Sequence, residues 1–259
     1  MLTADHPMSG LRPASGRPLT STLGVTMTPH QADLLEREDW RFHAIDAAGT
    51  GLGMIATIEK LAKRHLSFGL PSAPALYLSL ARNAHARRVA IDVDACFVNH
   101  PKPQGTWPED HRVLFDFFEL FIAEVIFSFT AIEAFANESI PANFIYSWKN
   151  AKEVKQLSRA DVERSVQLDE KLKRVLPMAH NIKSPAGTRA WQGFKELKTI
   201  RDRVIHMKSV DRRASGPEQQ TLWGLMLEQK QQDFAEVAYR LIGGYPALVC
   251  RRRWYRSCS

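Results

Sequence analysis

VLFDFFELFIAEVIFSFTAIEAFA, residues 113–136, is the most apolar stretch of a 259-residue chain. It has to be either a membrane span or the central helix of a core. Asp116, Glu119, Glu124 and Glu133 interrupt it. A charge at the middle of a bilayer is expensive, so the pattern predicts a buried helix and no membrane association. Asp110 stands where an N-cap belongs and Pro141 blocks continuation, which predicts one long helix from 110 to about 139. Across such a helix, one of Glu119, Glu124 or Glu133 could pair with Arg201 or Arg203, although partly exposed acids are the commoner outcome.

Further helices are expected beyond it. Residues 145–157 read as a short basic helix. Ser158, with Asp161 three residues on, opens another that runs to about 176. After a loop at 177–187 comes the clearest pattern, 188–208, with Trp191, Phe194, Leu197, Ile200, Val204 and Met207 on one side. A loop at 209–217 leads to a last helix over 221–242, ended by Gly243 and Gly244. Helices joined by short loops make an antiparallel bundle. The expected class is therefore all-α, with a bundle over 111–245 and a basic tail over 246–259.

The N-terminal part reads as an additional helical region. Residues 1–30 hold Pro7, Pro13, Pro18 and Pro29 among Ser, Thr and Gly, and no apolar run of signal-peptide length; they are expected to be a flexible leader. Helical spacing recurs at 31–48, 54–65 and 75–88, so residues 31–98 are expected to be mainly helical. GTGLG at 49–53 punctuates helices; it has neither the GxGxxG spacing nor a GK[ST] ending. Residues 89–98 fit a strand or an extension of the preceding helix equally well. In a strand, Asp92 and Asp94 would share a face and could hold Mg²⁺, but no third ligand is nearby, and a surface or capping role is the commoner one. Three prolines and a glycine at 99–110 mark the expected domain boundary.

An apolar fraction of 44% and a charged fraction of 24% describe an ordinary globular chain. The net charge is +7. It is concentrated at 147–213, where 17 basic residues face 8 acidic ones, and in a tail holding Arg251, Arg252, Arg253 and Arg256. Such a surface attracts polyanions, nucleic acid first among them. Cys96, Cys250 and Cys258 have no CxxC or zinc spacing, which suits a reducing, cytoplasmic setting. HExxH, GxSxG and Cys–His nucleophile patterns are absent, and no cofactor motif is present.

RDRVIH, residues 201–206, carries the chemistry. On a helix, Asp202 and His206 are neighbours four apart, so the carboxylate can orient the imidazole. Arg201 can reach the same edge and grip a phosphate through paired hydrogen bonds. Histidine exchanges protons near neutrality. RNA supplies its own nucleophile, the 2′-hydroxyl, so a phosphate grip beside an acid–base group is a minimal kit for cutting it.

RDRVIH resembles the Arg–polar–spacer–His mark of the HEPN superfamily, helical-bundle domains common in prokaryotic toxins and antiviral defence proteins. FSFTAIEAFANESIP, residues 127–141, is similar to that family's earlier core helix. The resemblance covers roughly residues 110–245. It implies a metal-independent endoribonuclease without cofactor, acting in toxin or abortive-infection systems and leaving a 2′,3′-cyclic phosphate and a 5′-hydroxyl. It implies Arg201, Asp202 and His206 as catalytic residues and a homodimer whose Arg/His helices face each other. An antitoxin or regulatory protein would hold it silent. Lys198, Arg203 and Lys208 are placed to guide the RNA backbone. The alternative is a non-catalytic helical module that uses the same face to bind RNA, a nucleotide or a partner protein. A DNA-binding regulator fits less well, because no helix-turn-helix is visible.

Overall fold

The computed structural model of the chain describes residues 25–27, 39–46, 52–54, 56–97, 107–149, 153–212, 220–250 and 252–258. Residues 1–24, most of the helix expected at 31–48, the proline-rich joint up to 106, and residues 213–219 lie outside the described residues.

Among the described residues, the N-terminal region is not mainly helical. Strands β1 (Val25–Met27), β2 (Ala44–Asp46) and β3 (Leu52–Met54) form an antiparallel sheet in the order β1-β3-β2. The helix expected at 54–65 is replaced by a hairpin of β4 (Ala56–Leu61) and β5 (Arg64–Gly69), with Thr57 opposite Phe68 and Glu59 opposite Leu66. In so short a run an apolar spacing of three or four cannot be told from alternation. The tight turn, with Ala62 at φ 53°, settles it for the hairpin. Ser72 then opens α1 (Ala73–Val89) by accepting the Ala75 N–H, with Pro74 in the first turn where a missing N–H costs nothing.

Residues 90–97, the described part of the segment after α1, are neither strand nor continued helix. α1 ends at Val89, and Asp94–Phe97 make a single 3₁₀ turn. Asp92 accepts the Ala95 N–H, while Asp94 pairs with Lys230, so the two carboxylates do not converge.

The apolar stretch forms the middle of α2 (His111–Glu138). Asp110 occupies its N-cap position, but its carboxylate makes no capping hydrogen bond. Phe117, Phe121, Val125, Ile132 and Phe135 recur at helical spacing and are buried. Each contributes on the order of 1.5–3 kcal/mol by leaving water.

Residues 145–157 are a second hairpin, β6 (Tyr146–Lys149) with β7 (Val154–Leu157), and not a basic helix. Aromatic and β-branched residues at Tyr146, Trp148 and Val154 outweigh the lysines. The Ser158–Asp161 capping box is present and opens α3 (Arg159–Ser165). That helix stops at Val166, and a new one, α4, covers Leu168–Glu170, a π-helical turn at Lys171–Val175, and Leu176–His180. α5 (Arg189–Ile205) starts where Thr188 accepts the Trp191 N–H. The expected last helix is two, α6 (Leu222–Glu228) and α7 (Phe234–Gly243). Short helices α8 (Pro246–Val249) and α9 (Arg253–Ser257) follow.

One core runs through all of this. Ala75 and Leu78 of α1 share it with Phe121 of α2, Phe194 and Leu197 of α5, and Leu241 of α7. The joint at 99–110 therefore does not separate two cores. The described part of the basic tail packs on the core: Trp254 and Cys258 are buried, Tyr255 stacks on Tyr239 with ring centroids 4.4 Å apart, and Arg252 pairs with Glu138. Burial pushes the Cys258 thiol up to about 11. Among the described residues, no helix is long and apolar enough to cross a membrane.

A charged clamp lies inside this core. Arg88 of α1 and Glu124 of α2 are both fully buried, with Arg88 Nε 2.7 Å from Glu124 Oε2. Arg88 also donates to the carbonyls of Lys230 and Gln232, and the Phe234 N–H donates to Glu124 Oε1 at 2.8 Å. The guanidinium packs on Phe121, 5.2 Å from the ring centre. Glu124 therefore pairs neither with Arg201 nor with Arg203. Burial pushes its carboxyl up, and Arg88 and the Phe234 N–H pull it back.

Replacing Arg88 alone with Met leaves the buried Glu124 carboxylate with only the His85 ring nitrogen and the Phe234 N–H, and should cost about 3 kcal/mol in urea unfolding. The double variant Arg88→Met/Glu124→Leu should recover part of that loss. A double variant less stable than the single one would show that the pair itself is not what holds α1 on α2.

Candidate functional site

α5 carries the predicted residues. Its inward side presents Phe194, Leu197, Ile200 and Val204 to the core. Lys198, Arg201 and Asp202 therefore fall on the adjoining flank, half-buried at the bundle surface. His206 is the C-cap residue and is exposed.

Lys198, Arg201, Asp202 and His206 line one open cleft of ≈ 460 Å³. Its other wall comes from Glu163, Arg164 and Gln167 at the α3–α4 junction, with Phe129 and Glu133 of α2 also lining it. A neighbouring cleft on the far side of Asp202 and His206 is lined by Arg203, Lys208 and Gln220. The sequence-predicted residues are thus gathered on two adjoining concave surfaces that share Asp202 and His206.

Arg201 is held from two sides. Its guanidinium carbon lies 4.7 Å from the centre of the Phe129 ring, and Nη1 donates to Asp202 Oδ1 at 3.0 Å. Asp202 consequently does not take the role expected of it. Its carboxylate bonds Arg201, and its link to His206 runs through the backbone, the His206 N–H donating to the Asp202 carbonyl at 3.0 Å. The reason is local. At His206 the chain leaves helical geometry, at φ −115° and ψ 67°, so the i, i+4 side-chain alignment is lost at the helix end.

Arg203 points elsewhere. It grips Asp211 with two bonds, Nη2 to Oδ1 at 2.7 Å and Nε to Oδ2 at 3.2 Å. Asp211 is buried and also accepts the N–H groups of Lys208 and Leu222, at 2.8 and 2.7 Å. Burial alone would raise the Asp211 carboxyl; Arg203 and the two N–H groups override it and hold it at about 2. Arg203 is therefore a strut that ties the end of α5 to the start of α6, and is not free to guide a nucleic-acid backbone. Lys198 lies 3.2 Å from Asp169, and Lys208 is exposed at the rim of the neighbouring cleft.

The reading from sequence overlooked Phe129, Arg164 and Lys171, and named Glu133 only as a possible partner of Arg201 or Arg203; all four line the cleft. Arg164 and Lys171 look like any other cations of the basic stretch, and the π turn that begins at Lys171 leaves no mark in hydropathy.

Away from this cleft, His85, Glu124 and Asp233 bring one nitrogen and two oxygens within 4.8 Å of one another, a spacing open to a metal ion. Both Glu124 oxygens are already bonded, by Arg88 and by the Phe234 N–H, so this cluster belongs to the core clamp. No family model, curated protein or solved structure matches the chain.

Asp211→Asn should lower stability at pH 7 by about 2 kcal/mol. Because the folded-state value is depressed from 3.8 to about 2, the contribution is complete above 3.8 and lost as pH falls from 3.8 through 2. Urea unfolding at pH 7 and pH 3 should show the difference between the two proteins narrowing at the lower pH. A gap that stays constant contradicts the assignment.

Proposed function

We propose that this chain is an endoribonuclease that cleaves RNA by attack of the 2′-hydroxyl on the adjacent phosphate. The observation that carries the reading is the meeting of Arg201, Lys198 and His206 in one open cleft. The resemblance of RDRVIH to the HEPN mark points the same way.

Arg201, steadied by Phe129 and Asp202, binds the scissile phosphate and the charge that builds on it during attack. The 2′-oxygen forms a bond to phosphorus as the bond from phosphorus to the 5′-oxygen breaks. His206 either takes the 2′-hydroxyl proton or gives a proton to the departing 5′-oxygen. The other transfer falls to water or to His206 of a second copy. The products are a 2′,3′-cyclic phosphate and a 5′-hydroxyl. Asp202 serves by holding Arg201, a different role from orienting His206. The RNA supplies the nucleophile, so the scheme requires no metal.

Two copies pairing along α5 would bring both RDRVIH segments into one composite cleft. An exposed His206 at a helix end suits such an arrangement. The setting that goes with the resemblance is a cytoplasmic toxin or abortive-infection effector restrained by an antitoxin or regulatory protein.

A second reading is favoured by one observation: Arg201 is engaged by Asp202 and not aimed at His206. A helical module that binds RNA without cutting it would tolerate this.

RNA cleavage assayed in EDTA separates the readings. The wild type should cut and leave cyclic-phosphate ends. Arg201→Ala and His206→Ala should each lose about 100-fold or more in rate. Activity abolished by EDTA and restored by Mg²⁺ would sink the metal-free scheme. Equal RNA binding by all three proteins, with no cutting, would establish the binding module.

A further inference from the structure

Charge balance around the cleft singles out one residue. Arg164 lies 3.1 Å from Asp161, Lys198 lies 3.2 Å from Asp169, and Arg201 lies 3.0 Å from Asp202. Each of these cations has its own carboxylate. Lys171 does not. It lines the same cleft, its residue is 1% exposed, and no carboxylate lies within 4.0 Å of its ammonium among the described residues. Its two hydrogen bonds go to neutral groups, Asn137 Oδ1 at 2.8 Å and the Glu163 carbonyl at 2.8 Å. An ammonium has three protons, so one remains.

Burying a charge is costly unless a counter-charge answers it. Burial lowers the proton affinity of Lys171 from that of an ordinary lysine, while Glu133 and Glu163 act at longer range to raise it. The fold nevertheless builds this group in. Lys171 opens the π turn of α4, a wider turn that is rare in ordinary helices and frequent at functional sites. Asn137 and the Glu163 carbonyl fix the ammonium from α2 and α3. The result is a fixed, buried positive charge on the lining of the cleft that Arg201 and Lys198 also line, with no carboxylate in contact with it among the described residues.

We propose that Lys171 is the centre of a phosphate-binding site in the cleft, and that the phosphate it receives is a backbone phosphate of RNA next to the scissile one. The phosphate site stands on Lys171 itself; its RNA origin rests on the ribonuclease reading. Lys171 supplies the fixed charge and Lys198 closes around the same anion, while Arg201 faces the scissile phosphate beside it. Glu133, which lines the cleft and acts on Lys171 at longer range, opposes binding and favours release.

Two measurements on the full chain test this and separate its parts. The first is thermal unfolding with inorganic phosphate, against chloride at matched ionic strength. Phosphate should raise the wild-type melting temperature by a few degrees, on the order of 3 °C. Lys171→Met should lose most of that shift, Glu133→Gln should enlarge it, and Lys63→Met, on the β4–β5 turn, should keep it. If phosphate stabilises Lys171→Met as much as the wild type, the site is overturned. If Lys171→Met does not fold, Glu133→Gln decides: an unchanged shift overturns the proposal and a larger one supports it.

The second measurement is binding of a labelled 2′-O-methyl oligonucleotide, which lacks the nucleophile and cannot be cut. Lys171→Met should bind about 10-fold more weakly, with a salt dependence shallower by about 0.7 in the log–log slope. A phosphate effect without oligonucleotide binding supports the anion site and overturns RNA as its source. Loss of oligonucleotide binding in Lys171→Met, alongside a wild type that binds but does not cut, supports both parts and removes only the nuclease.

Discussion

Arg88 and Glu124 have no exposed surface, so each must answer the other's charge inside the core. That requirement constrains more than two helices. With Nε on Glu124, the remaining donors of Arg88 reach the carbonyls of Lys230 and Gln232. Those carbonyls belong to the turn between α6 and α7, and the same carboxylate receives the N–H of Phe234 at the start of α7. A single ion pair thus fixes the register of α1 on α2 and the point at which the chain stops being α6. Breaking a continuous helix costs several backbone hydrogen bonds, and here Arg88, Glu124 and the Asp233 cap replace them. α5 packs on α2 and α7, so the flank it offers to solvent follows from that register.

The far end of α5 is organised by the same rule with the signs exchanged. Asp211 is a buried carboxylate that collects Arg203 and two backbone N–H groups. Arg201 and Arg203 are two residues apart on a helix and so point about 160° away from each other by helical geometry. One is drawn inward to Asp211; the other is left on the cleft flank against Phe129. The division of labour between two arginines in RDRVIH is therefore set by a residue eight positions downstream. Lys171 extends the contrast. Where Asp211 is a buried charge in direct contact with its counter-charge, Lys171 is a buried charge bonded to dipoles, with Glu133 and Glu163 acting on it only at longer range.

The long helix at 113–136, α5 with its buried stripe, the capping box at Ser158 and the nearness of Arg201, Asp202 and His206 along one helix were legible in the sequence. These are local facts: a stripe of period 3.6 long enough to exclude alternation, a hydroxyl three residues before a carboxylate, and residues no more than five apart on one helix. Neither hairpin was legible, because strands of four to six residues fit either period until a turn and a partner strand choose. The break between α6 and α7 was not legible either, because it is imposed by Arg88, more than 140 residues upstream.

What the sequence determined by itself is which segments are amphipathic helices and which side chains can do chemistry, since both depend on neighbours within a turn or two. What only the tertiary structure decided is which charge meets which. It paired Glu124 with Arg88, Asp211 with Arg203 and Asp202 with Arg201, and among the described residues it left Lys171 without a carboxylate in contact. Electrostatic pairing in a low-dielectric interior is worth far more than in water, and it acts between groups that chain order keeps apart. The fold, and not the spacing of residues, therefore assigns each charge to structure or to the cleft.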